Sequence, residues 1–127
     1  MAALTDYLAN AVRDHVLRNT AYTSPTTVYL ALFTTATTEA GTGTEVSGGS
    51  YARQAITFVA GATAGLAEQD GAISFADMPA CTVKAAAVMD AVSGGNMLIH
   101  GRLPVAVDVV VGGTFGLLDA DLKVLFD

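Results

Sequence analysis

The chain has 127 residues, which is enough for one domain with its own hydrophobic core. Hydrophobic residues make up 52% of it and charged residues 14%, against about 25% charged residues in typical soluble domains; this balance favours a subunit that neighbours partly cover. Twelve acidic and six basic residues give a net charge of −6 without any basic cluster, so we expect no binding of nucleic acid.

Residues 2–19 have the spacing of an amphipathic helix. Its apolar stripe consists of Leu4, Leu8, Ala11, Val12 and Val16. Thr5 or an earlier residue is a candidate for the N-cap, and Asn19 is a candidate for the end of the helix. Pro25 prevents any continuation, because proline cannot take an interior helical position without loss of a hydrogen bond. One helix is therefore predicted before the first long strand.

The first long strand, predicted at 27–34, is apolar on both of its faces. Because side chains alternate along a strand, both faces then need cover. Tyr29 and Phe33 share one face, and the N-terminal helix is a candidate for its cover. These two residues are also a candidate surface for contacts with another chain, although the pattern favours packing inside the sheet.

A loop of Thr, Gly, Glu and Ser follows at 35–50. Loops of this length in a compact domain are usually functional, bound by a partner or disordered. We predict that a neighbouring chain orders this one. Its Gly41-Thr42-Gly43-Thr44 segment is not a phosphate-binding loop, since no lysine is near and a strand follows instead of a helix.

The rest of the chain reads as further short strands separated by turn residues. With the first long strand there are about seven or eight, which are predicted at 27–34, 51–60, 72–75, 82–90, 97–103, 105–111, 115–118 and 122–126. The strand at 51–60 is expected to be half exposed, and Pro104 marks a bend or an edge. We predict one mainly β domain over 1–127, with the helix at 2–19 and an antiparallel β-sandwich at 26–127.

The apolar segments are too short for a membrane protein. The longest are 28–33 and 105–111, whereas a transmembrane helix needs about 20 apolar residues. The N-terminus has no basic segment before its apolar residues, so we expect no secretory signal. We therefore predict a cytoplasmic origin, no membrane partner and a place in an assembly.

No catalytic or metal site is visible in the residue pattern. The chain has two histidines, one of them His100, which are too few for a zinc site, and no Gly-x-Ser-x-Gly elbow. Asp119, Asp121 and Asp127 are interpreted as solvated carboxylates of a turn, since calcium gathers six or more oxygens. Cys81 is the only cysteine, expected to be buried, with an intersubunit bridge as the alternative. We predict no enzyme activity and no cofactor.

Several polar and aromatic residues are candidates for contacts with another chain. Arg53 is the first choice, because Arg and Tyr are enriched where protein surfaces meet. The alternative for Arg53 is an ion pair with Glu45 in the same chain. His100 and Arg102 share the polar side of a later strand, which we expect to face solvent or a partner. The full candidate set is Tyr29, Phe33, Glu45, Tyr51, Arg53, His100 and Arg102.

Three segments also carry a family resemblance. They are PTTVYLALFT at 25–34, the Gly-Thr-rich loop with Glu45 that leads into GSYARQ at 49–54, and DAVSGG at 90–95. Together with the N-terminal helix, these segments resemble a family of small tailed-bacteriophage virion structural proteins, whose members are labelled tail-fibre or head-decoration proteins. The resemblance implies a structural role and names no active site.

From this resemblance we expect a capsid decoration protein on the outside of the phage head. Its strand faces and the 35–50 loop would bridge neighbouring subunits. The expected partners are the phage major capsid protein or other virion proteins and further copies of the chain, in a virion assembled in the host cytoplasm. The alternatives are a tail-fibre or tail-tip component and a carbohydrate-binding adhesin module, although without Trp the chain offers few sugar-stacking platforms.

Overall fold

A computed structural model describes residues 2–126; Asp127, considered above with Asp119 and Asp121, lies outside them. Within this range the chain forms one helix and nine strands, in the order β1 (Ala3–Leu4), α1 (Asp6–Leu17), β2 (Val28–Phe33), β3 (Gln54–Ala60), β4 (Leu66–Asp70), β5 (Ile73–Met78), β6 (Cys81–Met89), β7 (Met97–Val109), β8 (Gly113–Leu117) and β9 (Lys123–Leu125). The predicted mainly β architecture with an N-terminal helix is confirmed.

Seven of the strands form a sheet that curls until its two edges nearly meet. Their order is β1-β7-β6-β2-β3-β4-β9, and all neighbours are antiparallel. A bridge between Ala2 and Val124 links the edge at β1 to the edge at β9. β5 and β8 form a separate two-stranded antiparallel sheet. The sandwich part of the prediction is not confirmed, because one nearly closed sheet holds most of the strands.

The main core lies on the inner face of the curled sheet. Leu30 and Leu32 of β2 have no exposed surface, and they belong to one buried cluster with Phe75 of β5 and Phe115 of β8. Phe75 stacks on Tyr51 at a ring-centroid distance of 5.8 Å and meets Phe115 edge-on at 6.3 Å. Such aromatic pairs contribute about 0.5–1.5 kcal/mol beyond the area they bury. The two-stranded sheet therefore packs on the same core as the larger sheet.

A second, smaller cluster lies on the outer face of β2 and β6. Its members are Ala31, Phe33, Ala85, Ala87, Met89 and Met97. β2 is thus buried on both faces, as predicted. The cover of Phe33 is the 35–50 loop, in which Gly43 comes so close that a Cβ there would lie 3.0 Å from the Phe33 ring. The predicted cover by the helix is wrong, because Leu8, the buried residue of α1, packs in the main core instead.

The N-terminus shows why α1 begins later than predicted. Thr5 caps the helix as expected: its Oγ1 accepts a hydrogen bond from Leu8 N at 3.4 Å and donates one to Met97 O at 2.6 Å. The residues before it, Ala3–Leu4, pair with β7 as the short strand β1. Leu4 fits the helical stripe in sequence, but here it lies in the sheet.

The C-terminal half of α1 leaves its apolar side chains uncovered. Val16 is 68% exposed and Leu17 is 78% exposed. Asn19 follows the helix with a φ of 54°, a left-handed conformation common after helix ends. Within residues 2–126, no helix is both long enough and apolar enough to cross a membrane.

β4 is a strand that the sequence analysis did not predict. Its sequence, LAEQD, is largely polar, and yet Gln69 is only 1% exposed. The buried amide is satisfied, since Gln69 Nε2 donates to Gly71 O at 2.8 Å and Leu122 N donates to Gln69 Oε1 at 3.2 Å. Cys81, expected to be buried, is half-buried at the start of β6.

The predicted strands at 97–103 and 105–111 form one strand, β7, with a bulge in the middle. Val83 of β6 pairs with Val107, whereas Ala85 pairs with Arg102. Residues 103–106 of β7 therefore stand opposite Lys84 alone. Pro104, which the sequence marks as a bend, lies inside this bulge, where β-sheets tolerate a residue without an N–H.

Candidate functional site

The second half of the 35–50 loop pairs with the end of β2 through a bridge between Phe33 and Glu45. Thr34 N donates to Thr44 O at 2.8 Å, and Val46 N donates to Leu32 O at 2.9 Å. Val46 is 4% exposed and belongs to the main core. The loop thus inserts an apolar anchor into its own domain.

The middle of the loop contacts its own chain as well. Glu39 O accepts a hydrogen bond of 2.8 Å from Asp6 N at the start of α1. Thr37 Oγ1 lies 3.0 Å from His100 Nδ1 of β7, while His100 Nε2 is buried without a hydrogen-bond partner among residues 2–126. The loop therefore folds on its own domain, and the expectation that a neighbouring chain orders it is not supported.

An ion pair closes the end of this loop; we call Glu45, Tyr51 and Arg53 the Glu45 clamp. Arg53 Nη2 donates to Glu45 Oε1 at 2.8 Å and Arg53 Nε donates to Glu45 Oε2 at 2.9 Å. Tyr51 Oη donates to Glu45 Oε2 at 2.8 Å. Two parallel bonds between a guanidinium and a carboxylate are among the strongest polar contacts in proteins.

The Glu45 clamp also holds two other parts of the fold. Arg53 Nη1 donates to Ala91 O and to Gly94 O, both at 2.8 Å, in the turn between β6 and β7. Tyr51 Oη accepts a hydrogen bond of 2.9 Å from Leu32 N of β2. The Arg53 side chain is only 8% exposed. The clamp therefore joins the loop, the start of β3, β2 and a distant turn.

The electrostatics of the Glu45 clamp follow from these contacts. Partial burial acts to raise the pKa of Glu45, but the hydrogen bonds from Arg53 and Tyr51 outweigh it, so the pKa is lowered from its ordinary value. The hydrogen bonds to Glu45 raise the pKa of Arg53. Burial raises the pKa of Tyr51, so its phenol stays a donor. The arrangement fixes charges in place and holds no reactive group in an activated state.

Most of the seven interface candidates are at least partly buried within this chain. Phe33 is 4% exposed and packs beneath the loop. Arg53 forms the intrachain ion pair with Glu45 that was its alternative. The partly buried residues are Tyr29, Glu45, Tyr51, Arg53 and His100, and Arg102 is the exposed one. Their contact with another chain stays a prediction.

Arg102 lines a cleft of about 450 Å³ at the bulge of β7. The lining residues are Thr35, Ala36, Lys84, Arg102, Leu103, Pro104 and Ala106. Lys84 and Arg102 are both exposed, and among residues 2–126 neither forms an ion pair. The sequence analysis named Arg102 but not Lys84; Pro104 was the local signal that could have located the bulge.

Asp119 and Asp121 shape a turn, where each accepts a hydrogen bond from a backbone N–H. Asp119 Oδ1 lies 2.7 Å from Gly71 N, and Asp121 Oδ2 lies 2.8 Å from Leu118 N. In the part of the chain that the structure describes, no group of three or more His, Cys, Asp or Glu is placed to hold a metal ion.

Exposed apolar side chains gather on the second half of β7 and the turn after it. Val105 is 76% exposed, Val110 is 73% exposed and Val111 is 78% exposed. Together with Val16 and Leu17 of α1, they are the kind of surface that partner subunits cover in assemblies.

The sequence matches the family model described as Podophage GP4 fiber I protein gp80 over residues 3–124. The matched range includes α1, the 35–50 loop, the Glu45 clamp and the bulge of β7. No curated protein matches the sequence.

Proposed function

The chain belongs to the family of the podophage GP4 fiber I protein gp80, and we propose from this membership that it is a component of a phage tail fibre. As a member of this family it is a structural protein of the bacteriophage virion. The match over nearly the whole chain is the observation that carries the proposal, because the domain described above is the matched part.

Capsid decoration, the leading expectation from the sequence, is not supported by a family of fibre proteins. That expectation also relied on the 35–50 loop as a bridge between capsid subunits. The loop instead packs on its own domain through the Glu45 clamp and through Thr37 and His100. The tail-fibre alternative agrees better with both observations.

In a fibre the role of this domain is mechanical: its contacts with neighbouring subunits hold the assembly together. We propose that further copies of the chain and other virion proteins cover the exposed valines of β7 and the C-terminal half of α1. Burial of about 400 Å² of apolar surface would contribute roughly 10 kcal/mol, before the entropy cost of association is subtracted. The acidic net charge of −6 limits non-specific contacts between such subunits.

Gold-labelled antibodies against this protein, applied to purified virions, test the proposal. We expect the label on fibres at the tail, and we expect virions that lack the protein to adsorb poorly to host cells while their heads keep full resistance to heat and osmotic shock. Virions from the deletion strain are the control for antibody specificity. Label spread over the head, together with heads that lose heat resistance on deletion, would overturn the tail-fibre role and restore the decoration role.

A further inference from the structure

We propose that the cleft at the β7 bulge binds an anionic group, a carboxylate or a phosphate, carried by an acidic saccharide. The saccharide as the source of the anion rests on the proposed tail-fibre function, because a fibre meets the carbohydrate surface of the host cell. The anion site itself rests on Lys84, Arg102 and the bulged backbone.

The charges in the cleft favour an anion. In a chain with a net charge of −6, Lys84 and Arg102 share one cleft, and among residues 2–126 neither has a carboxylate partner. The other three arginines are all paired: Arg13 and Arg18 with Asp14, and Arg53 with Glu45. The planar guanidinium of Arg102 can donate two parallel hydrogen bonds to a carboxylate or phosphate, and Lys84 adds a second positive charge beside it.

The backbone beside the cleft is irregular. The pairing register skips from Arg102 to Val107, so residues 103–106 have no partners of their own in β6. A bulge leaves its extra residues outside the hydrogen-bond ladder, and bulges are over-represented beside functional sites. Leu103, Pro104 and Ala106 of this segment line the cleft beside Lys84 and Arg102. Two cations on one concave surface make a site for an acceptor-rich anion.

The shape of the cleft suits a small molecule. The cleft of about 450 Å³ falls within the range of small-molecule sites, roughly 300–1,000 Å³. Leu103, Pro104 and Ala106 provide an apolar wall for the C–H groups of a sugar ring, and Thr35 provides a hydroxyl. No aromatic ring lines the cleft, so a single site binds weakly, and repeated copies along a fibre supply the avidity.

An acidic side chain from another protein would satisfy the same two cations. The concave shape favours a small ring-bearing group over a protein surface, because protein interfaces are mostly flat and extend over about 800 Å² per partner. The experiment must therefore distinguish the binding of an acidic sugar from the binding of an acidic protein surface.

NMR titration of the ¹⁵N-labelled protein tests the inference with three probes: glucuronate, glucose 6-phosphate and neutral glucose. We expect both acidic sugars to shift the amide signals of Lys84, Leu103, Val105 and Ala106, and glucose to shift them far less. Arg102→Ala should weaken binding about 10-fold, and Arg102→Lys should weaken it less because the charge remains. Ala106→Glu should abolish binding without removal of either cation.

Lys123→Ala is the matched control, since Lys123 is an exposed cation on β9 outside the cleft; it should bind as the wild type does. The inference is overturned if glucose shifts the same signals equally, if acidic sugars shift nothing, or if Arg102→Ala binds normally. Concentration-dependent self-association that Arg102→Ala abolishes, without sugar binding, would assign the cleft to an acidic protein surface instead. These results are independent of antibody labelling, so the tail-fibre role can stand while the sugar site fails.

Discussion

Arg53 and Arg102 stand beside the same sheet, and their surroundings give them opposite roles. Arg53 makes four hydrogen bonds within its own chain, and its side chain is 8% exposed. Arg102 is exposed at the bulge of β7 and, among residues 2–126, forms no ion pair. Near Arg53, charge stabilises the fold of the loop; near Arg102, charge is left available for a partner. The difference lies in the neighbours of each arginine and not in its own chemistry.

Truncation of Phe33, which packs beneath the 35–50 loop, should give the largest loss of stability. We expect Phe33→Ala to lower the free energy of unfolding by about 3–5 kcal/mol, because it removes a buried ring from the second cluster. The measurement is urea denaturation followed by circular dichroism. Val105→Ala at the exposed bulge is the matched control and should change stability by less than about 0.5 kcal/mol. Equal losses for both variants would show that the loop region is no more tightly packed than the bulge.

Removal of each arginine in turn tests the comparison directly. Arg53→Ala should lower the free energy of unfolding by about 3 kcal/mol, since it removes the cation paired with Glu45 and leaves two carbonyls of the β6–β7 turn without their donor. Arg102→Ala should change stability by less than about 0.5 kcal/mol. Denaturation of the two variants under the same conditions measures both. If Arg102→Ala is as destabilising as Arg53→Ala, the cleft is part of the structural framework and its cations are not free.

The smallest expected effect is the part of the pH dependence of stability that comes from the Glu45 clamp. The pKa of Glu45 is lower in the folded chain than its ordinary value of 4.5, so its contribution to stability is present above that pH. It is lost as the pH falls through the folded pKa, because the protonated carboxyl no longer pairs with Arg53. Denaturation of the wild type and Glu45→Gln across this window measures the difference. The wild type should lose more stability than the variant, and parallel losses would contradict the role of the clamp.

Local patterns in the sequence predicted those parts of the fold that depend on neighbouring residues. The alternation in β2 predicted burial of both of its faces, and Thr5 was one of the candidates for the helix cap. Pro104 predicted a bend or an edge where β7 has its bulge. Each of these signals acts within a few residues of the chain, where steric and hydrogen-bonding rules are strong.

Distant pairings could not be predicted in the same way. Leu4 fits a helical stripe, and only its pairing with Ile99 of β7 makes it part of a strand. β4 has a polar sequence and depends on partners on either side, including the amide network of Gln69. The cleft brings Lys84 and Arg102 together only through the pairing of β6 with β7. The sequence offered an ion pair between Arg53 and Glu45 as one of two alternatives. It could not indicate that the β6–β7 turn, 38 to 41 residues later, also contacts Arg53 and covers it.

The bridge between Ala2 and Val124 also determines when folding can finish. β1 pairs with residues of β7, and β9 is the last of the nine described strands, so the sheet cannot close during synthesis until β9 has emerged. Contacts between such distant residues slow folding, because the chain loses the entropy of a large loop before the pairing repays it. Until then the growing chain presents open strand edges to other growing chains. Closure of the sheet between Ala2 and Val124 therefore removes these edges from contact with other growing chains.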